Sequence, residues 1–463
     1  MLTESTAMPM ETAASNAAII SENPFYLQAV AAFAREQPMV AQEDIYGANG
    51  IKLVAKGSQV SQQQFARLAQ HRLTVPLDKV LASERTLDAA SLAIAAGKIL
   101  DHDQVYCRLA NRSGDPLAIK QALAALKLPA PLWQRLTVMQ AQRPAMFEHS
   151  LRAAMIACAL AQRLKLPPGE RDILLVAALC HDVGEMHTDP MLLASEHDIT
   201  PAERRYIHVH PLTSYVLLHG IPGFPPAACQ AVLHHHERLD GSGYPHGVRS
   251  DKIPPLAKLV AVADVAETVI RRFDLPRLDM LARLHHGRFD QAAVDALRDL
   301  IHFVPQDALA PPPPHGAAQQ LNRLADVLQA WYTLREVFER HVAPAAPDVS
   351  PLGFLFERMQ AIRQLVLQAG IDPDHIDDIL ALSREDPAIL LELHTMLEEM
   401  EWLQLDLANE IDRRAPQLQG LAPDALSGLV QHLRPVVPLS IPQELLAVAP
   451  DDDADAEPVP PRH

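Results

Sequence analysis

Cysteine is scarce in this chain, with four in 463 residues. Cys107, Cys158, Cys180 and Cys229 lie far apart and form no C-x-x-C pair. That excludes a disulfide framework and a thiolate zinc site, and it fits a reducing compartment. Positive charge is also short: 40 Lys and Arg stand against 57 Asp and Glu, a formal net charge of −17. A large nucleic-acid footprint, which needs clustered cations against phosphates, is excluded. A small charged nucleotide is not, because a local pocket or a metal overrides the global field. No apolar run approaches the ~18–20 residues that span a bilayer. The opening MLTESTAMPMETAASNAAII carries acids and no basic segment, so a secretory signal is not expected and a cytoplasmic location is. With 48% hydrophobic and 21% charged residues, the chain reads as an ordinary globular protein long enough for two or three domains.

The composition changes along the chain. Residues 1–22 are small and polar and read as disordered. Residues 23–85 read as a small α+β module, because Asn49-Gly50 and Gly57 punctuate short apolar runs ahead of one helical pattern. Residues 86–142 form an Ala/Leu-rich helical connector, and helical patterns cut by Gly/Pro turns continue from 143 to 303. The stretch PQDALAPPPPHGAA marks a linker over 304–318. A helical region follows over 319–433, then an acidic, Pro-rich, solvated tail over 434–463. Within 387–412, Ile389, Leu393, Met396, Met400, Leu403, Leu407 and Ile411 recur at mostly alternating spacings of four and three. That is a seam for another helix, either in the chain's own bundle or in a homodimer through the C-terminal helices. The expected fold is mainly α.

Histidine is what the chain has in excess, with 22 residues. Several lie in or beside apolar helical patterns, where an unpartnered polar side chain is costly. His149 opens the helix EHSLRAAMIACALAQRL, and His181-Asp182 end the helix LLVAALC. His210 lies in YIHVHPLTSYVLL, and His234, His235 and His236 follow AACQAVL. Asp264 sits among Val262, Ala263, Val265 and Ala266, where an ionised carboxylate needs a partner or a metal. Imidazole and carboxylate without thiolate suit Fe, Mn or Zn rather than Ca. If Asp182 bridges two ions, a hydroxide held between them is a good nucleophile for phosphorus.

The order His149 … His181-Asp182 … His210 … His235-His236 … Asp264 resembles the HD superfamily of metal-dependent phosphohydrolases. More narrowly, HHHERLDGSGYPHG over 234–247 is similar to the signature of the HD-GYP subfamily. The resemblance covers residues 143–303, with LTSYVLL, DKIPPLAKLVAVAD and GRFDQAAVDAL also in place. It implies an HD-GYP-type helical bundle that hydrolyses cyclic di-GMP to pGpG or GMP. It further implies that His149, His181, Asp182 and Asp264 hold one ion. His210, His235 and His236 then hold a second, with Asp182 shared. Trinuclear members carry a Glu four residues before the first His; here that residue is Ala145, so two ions are expected. Fe or Mn leads, with Zn, Ni or Mg as alternatives. His234, Arg238 and Asp240 are expected to shape the substrate pocket, with Gly243, Tyr244 and Pro245 as the signature loop.

Two departures from the family pattern concern the substrate. A lysine that meets the scissile phosphate usually follows the HD pair, and Glu185 stands in its place. At an effective dielectric near 20, a charge pair about 5 Å apart is worth roughly 3 kcal/mol, and reversing the sign roughly doubles the change. Glu185 is therefore a catalytic-site candidate that tunes or disables, by turning to a metal, pairing with an arginine or lying solvated past the helix end. The family's arginine-rich run after the last ligand is also missing, and ETVIRRFDLPR offers only Arg271, Arg272 and Arg277 as local substitutes, out of register. Three readings follow: a cyclic di-GMP phosphodiesterase, a catalytically silent cyclic-dinucleotide receptor or adaptor, and a phosphohydrolase of another nucleotide.

Overall fold

A computed structural model describes residues 23–434, apart from 61, 69–70, 72, 76–79, 84, 194–198, 273–276, 280–286, 303–314, 342–349, 370, 372–378 and 382–386. The segments 1–22 and 435–463, read as disordered from sequence, lie outside the described residues. Contacts divide the chain into two units. The first holds the described residues up to Glu267 with 299–301; the second holds 268–298 and the described residues from 302 onward. That division falls inside the 143–303 segment delimited from sequence.

The first unit opens with helix α1 (Pro24–Glu36), whose free amides at Phe25 and Tyr26 are capped by the Asn23 side chain. Its inward residues Tyr26, Val30 and Phe33 follow the helical repeat and are all buried. Strands β1 (Met39–Ala41), β2 (Ile45–Tyr46), β3 (Lys52–Val54) and β4 (Gln59–Val60) follow, then helix α2 (Gln62–Leu68) and strand β5 (Leu81–Ser83). β1 is the centre of an antiparallel sheet ordered β4-β1-β5, with Met39 opposite both Val60 and Ser83. β2 and β3 form a hairpin whose turn places Gly50 at φ 77°, a conformation that Asn-Gly sequences supply readily. The α+β reading of this module is therefore correct.

Helices then take over: α3 (Ala89–His102), α4 (Gln104–Arg112), α5 (Ala118–Ala124), α6 (Ala130–Gln142), α7 (Pro144–Arg163) and α8 (Pro168–Cys180). From His149 to Ala161 only Arg152 of α7 is not buried. Its alanines at 153, 154, 157, 159 and 161 let neighbouring helices approach closely, and α8 answers with Ala177 and Ala178. Lys165, at φ 56°, turns the chain between α7 and α8. Beyond α8 come 3₁₀ turns at Val183–His187 and Pro190–Leu193, then α9 (Pro201–His208), α10 (His210–His219) and α11 (Pro226–Leu233). α12 (Pro255–Arg272) completes the set that carries the candidate ligands. Thr200 and Glu203 cap α9 reciprocally, a capping box written in the sequence T-P-A-E.

In the second unit, α13 (Gln291–Ile301, its last residues belonging to the first unit), α14 (His315–Glu339), α15 (Gly353–Gln368), α16 (Pro387–Arg414) and α17 (Pro423–Leu433) appear in order. α14 begins at His315, so the last four residues of the 304–318 linker are helical instead, and 304–314 lie outside the described residues. The apolar seam of α16 is occupied from within the unit. Leu393, Met396, Met400, Leu407 and Ile411 join one buried cluster with Leu321, Leu355 and Leu429, and Leu403 packs against it. Ile389 alone of that seam is exposed. Of the two partners the seam could have, the chain's own bundle is the one that fills it. The opposite side of α16 is acidic and pairs with arginine: Arg277 with Glu398 and Glu399, Arg288 with Asp406, Arg323 with Glu401. Among the described residues, no helix is long and apolar enough to cross a membrane.

Candidate metal centre

Five elements deliver seven side chains to one place. His149 lies in the second turn of α7, His181 and Asp182 directly follow α8, and His210 opens α10. His235 and His236 follow α11, and Asp264 is on α12. All seven are buried. They fall into three overlapping groups, each with ligand atoms within 4.8 Å of one another: Asp182, His210, His235 and His236; His149, His181 and Asp182; His181, His235 and Asp264. The seven residues singled out as ligands from sequence are thus brought together.

Asp182 stands at the middle. Its Oδ2 lies 3.0 Å from His181 Nε2 and 3.5 Å from His149 Nε2. Its Oδ1 faces the other way, 3.2 Å from His210 Nε2 and 3.5 Å from His235 Nε2. Asp264 spans the same divide, with Oδ1 3.3 Å from His149 Nε2 and Oδ2 3.7 Å from His236 Nδ1.

The ring orientations are fixed from behind. The Nδ1 atoms of His181, His210 and His235 lie 2.8, 2.9 and 2.6 Å from the carbonyls of Ala178, Ile207 and Val232. Donation to a carbonyl puts a proton on Nδ1 and turns Nε2 inward with its lone pair when the ring is neutral. Nε2 atoms then face each other, His149 with His181 at 3.2 Å and His210 with His235 at 3.3 Å. Two lone pairs this close need a proton or a metal cation between them. Asp182 Oδ1 and His236 Nδ1 are also buried without a hydrogen-bond partner among the described residues. Each such group costs about 1–3 kcal/mol if left unmet. Inward imidazole nitrogens, two carboxylates and no thiolate fit a divalent transition ion.

Protonation shows the same demand. Burial works against a charged His181, yet the Asp182 carboxylate, followed by Asp264, raises it to about 10. His149 and His210 are also raised, against burial, by Glu267 and by Asp182 respectively. Burial pushes His235 down to about 4. Burial also opposes charge on Asp182 and Asp264, but the histidines around them hold both carboxyls well below the usual range. The metal-free cluster therefore keeps protons on His181 and its neighbours, and a cation must displace them. We expect metal binding at pH 8 to release about one proton or more per chain and affinity to rise with pH. Calorimetry in buffers of different ionisation heat measures this; binding with no proton release would contradict it.

His149 lacks a backbone partner and uses Glu267 instead, whose Oε2 is bound to Nδ1. Glu267 is fully buried and lies three residues after Asp264, on the same face of α12. Reading the sequence residue by residue missed it, although an Asp-x-x-Glu pair on an apolar helix was a visible signal. Glu267→Gln keeps the shape and removes the charge that makes His149 a strong donor. It is expected to weaken metal binding about 10–100-fold in a folded protein, as measured by competition with a chelator.

The other residues expected to meet substrate are engaged differently. Glu185 is buried on the 3₁₀ turn, which corrects the solvated alternative. Its Oε1 lies 3.7 Å from His210 Nδ1, behind the ring whose Nε2 faces Asp182. Burial and then the Asp182 carboxylate push Glu185 up to about 7. Arg143 feels the Glu185 carboxylate and donates to the Thr188 carbonyl at 3.4 Å. His234, half-buried, has its Nδ1 2.9 Å from the Gln230 carbonyl, and it joins none of the three ligand groups. Arg238 donates to the carbonyls of His235 and Glu237. Asp240 accepts from the Ser242 amide and hydroxyl, closing the loop on itself. Gly243 packs where a Cβ would lie 2.4 Å from three backbone atoms of His236, Glu237 and Arg238. Tyr244 is sandwiched between His208 and His236, with ring centroids 4.1 and 4.6 Å away. Pro245 follows through a cis peptide bond. Glu237, unassigned from sequence, holds this loop by accepting from the amides of His246 and Val248 at 2.7 and 3.0 Å.

The arginines after Asp264 fall in the second unit. Arg271 and Arg272 lie seven and eight residues further along α12, roughly 10–12 Å down its axis. The side chain of Arg272 is outside the described residues. Arg277 is buried and committed to Glu398 and Glu399.

A family model described as an HD domain matches residues 136–290. The 3′3′-cGAMP-specific phosphodiesterase 3 of Vibrio cholerae is 28% identical over 177 residues, covering 37% of this chain and 38% of that protein. The cyclic di-GMP phosphodiesterase response regulator RpfG of Xanthomonas campestris is 36% identical over 154 residues, covering 32% and 41%. The cyclic di-GMP phosphodiesterase PA4108 of Pseudomonas aeruginosa is 34% identical over 124 residues, covering 27% and 30%. The chain thus spans about two-fifths or less of the length of these relatives. With the HD pair, its surrounding histidines and the GYP loop in one buried cluster, residues 136–290 are an HD domain of the HD-GYP subfamily.

Proposed function

We propose that this domain is a metal-dependent phosphodiesterase that opens cyclic di-GMP to pGpG, and further to GMP. The observation that carries the reading is Asp182, whose two oxygens face separate histidine pairs on opposite sides. In this reading His149, His181, Asp182 and Asp264 hold one ion, and His210, His235, His236 and Asp182 hold the second. Fe or Mn suits this nitrogen and oxygen set first, with Zn, Ni or Mg as alternatives. Divalent ions held there would polarise the phosphodiester and lower the pKa of water.

The chain's own residues supply geometry. Backbone carbonyls and Glu267 fix which nitrogen of each imidazole points inward, so little reorientation is needed when substrate arrives. In the reaction the water oxygen bonds to phosphorus as the phosphorus–O3′ bond breaks. The ring opens to a 5′-phosphate and a 3′-hydroxyl.

A second reading, a silent cyclic-dinucleotide receptor, is favoured by one observation: a buried Glu185 where the family places a lysine. The two relatives named for cyclic di-GMP and the one named for 3′3′-cGAMP also make substrate choice a separate question, and a phosphohydrolase of another nucleotide the third reading. A panel of cyclic di-GMP, 3′3′-cGAMP and cyclic di-AMP, compared by kcat/KM, tests all three. Cyclic di-GMP is expected to turn over fastest. A faster 3′3′-cGAMP reaction would reassign the substrate, and tight binding with no turnover would leave the receptor.

A further inference from the structure

The N-terminal module meets the turn that follows Asp182 through a buried aromatic stack. Tyr26, in the first turn of α1, stacks on His187, with ring centroids 4.9 Å apart and planes 18° from parallel. Arg135 of α6 completes the group. Its guanidinium carbon lies 4.8 Å from the Tyr26 ring centre, and its Nη1 lies 3.4 Å from His187 Nε2. All three side chains are buried.

The same stretch of α6 is tied to the module's sheet. Gln134 Oε1 accepts from the Ser83 amide at 3.0 Å, and the Thr137 hydroxyl accepts from the Leu87 amide at 2.9 Å. Helices α1 and α6 therefore meet at His187, and α6 is in turn bonded to strand β5.

His187 ends a five-residue 3₁₀ turn that starts immediately after Asp182. The turn is held by the Glu185 amide donating to the Asp182 carbonyl at 2.8 Å and the Thr188 amide donating to the Glu185 carbonyl at 2.9 Å. A 3₁₀ segment this short has poor hydrogen-bond geometry and does not hold itself. On its other side, Gly184 donates to the Ser214 hydroxyl at 2.8 Å and presses against the His210 carbonyl, leaving no room for a Cβ. The turn is clamped between α10 and the module.

We propose that Tyr26 and Arg135 are positioning residues. Through His187 they fix the turn that sets the Asp182 carboxylate, so the N-terminal module is part of the metal centre's wall. Whatever displaces α1 then acts on the site directly. The proposal rests on the reading of Asp182 as the shared ligand.

The test uses the full chain with Tyr26→Ala, Tyr26→Phe and Arg135→Met. Hydrogen exchange is followed at residues 183–188, with α14 to α17 as a check that the fold persists, and metal affinity is read by chelator competition. In Tyr26→Ala, exchange at the Glu185 and Thr188 amides should rise about tenfold, and metal affinity should fall roughly 10–100-fold. Tyr26→Phe keeps the stacked ring and should behave as wild type. Arg135→Met should follow Tyr26→Ala, which guards against a variant that fails to fold. Unchanged exchange at 183–188 in both disruptive variants overturns the proposal, as does faster exchange with unaltered metal affinity. A wild-type chain that takes up metal but opens no cyclic dinucleotide would remove the functional reading and leave this one standing.

Discussion

Asp182→Ala should abolish metal retention and lower cyclic dinucleotide turnover by about 10²–10³-fold or more. The magnitude follows from where the carboxylate sits. Its oxygens face His181 at 3.0 Å on one side and His210 at 3.2 Å on the other. Removing one partner of a buried charge set costs about 3–5 kcal/mol, and ~1.4 kcal/mol is tenfold in rate or affinity. Asp264 is a poor substitute, because its oxygens lie nearest His149, His181 and His236, and it is not in the group that holds His210. In the metal-free variant His181 loses the group that most strongly raises it, so its pKa should fall from about 10. Metal content by elemental analysis and His181 titration by NMR check both parts. A variant that keeps two ions per chain would contradict them.

Gly243→Ala should be the most destabilising small substitution in the signature loop. An added Cβ would meet the His236 carbonyl oxygen, the Glu237 Cα and the Arg238 nitrogen, each at 2.4 Å. These are backbone atoms of the segment that carries two ligands, so relief requires moving His236 itself. Overpacking commonly costs about 1–3 kcal/mol, and displaced backbone puts this case at about 3 kcal/mol or above. Tyr244, stacked on His236, moves with it. Gly169→Ala is the control: it lies in the first turn of α8 with open space around it and should be neutral or slightly stabilising. Thermal melts of the two variants compare them, and equal melting temperatures would contradict the close-packing argument.

The buried histidine and aspartate cluster was legible in the sequence because each member breaks an apolar helical pattern or ends one. His181-Asp182 closing LLVAALC and Asp264 within LVAVADVAE are local signals, and burial made them chemical ones. The helical character of the domain was legible for the same reason. Glu237 and Ser214 were not, because their roles come from which helix or loop folds against them, and Glu267 was passed over although it follows Asp264 on one helix face. Tyr26, Arg135 and His187 are more than a hundred residues apart at the extremes, and nothing in their local context announces a stack. Glu185 shows the limit from the other side. It was singled out from sequence for its charge, but its placement behind His210 depends on a 3₁₀ turn that no periodicity marks. The linker was misjudged at its C-terminal end because His315-Gly-Ala-Ala looks like loop until α14 is seen to start there. The α16 seam was correctly read as a helix contact, and only packing could say that Leu321, Leu355 and Leu429 fill it.

In the proposed reading, this buried histidine and aspartate cluster, with Glu185 behind it, hydrolyses a cyclic dinucleotide. The most direct measurement is anaerobic turnover of cyclic di-GMP by the full chain reconstituted with Fe(II) or Mn(II), with Asp182→Ala as the blank. pGpG or GMP formed by the wild-type chain and not by the variant is the expected result. About two ions bound per wild-type chain with no product from any cyclic dinucleotide would contradict it.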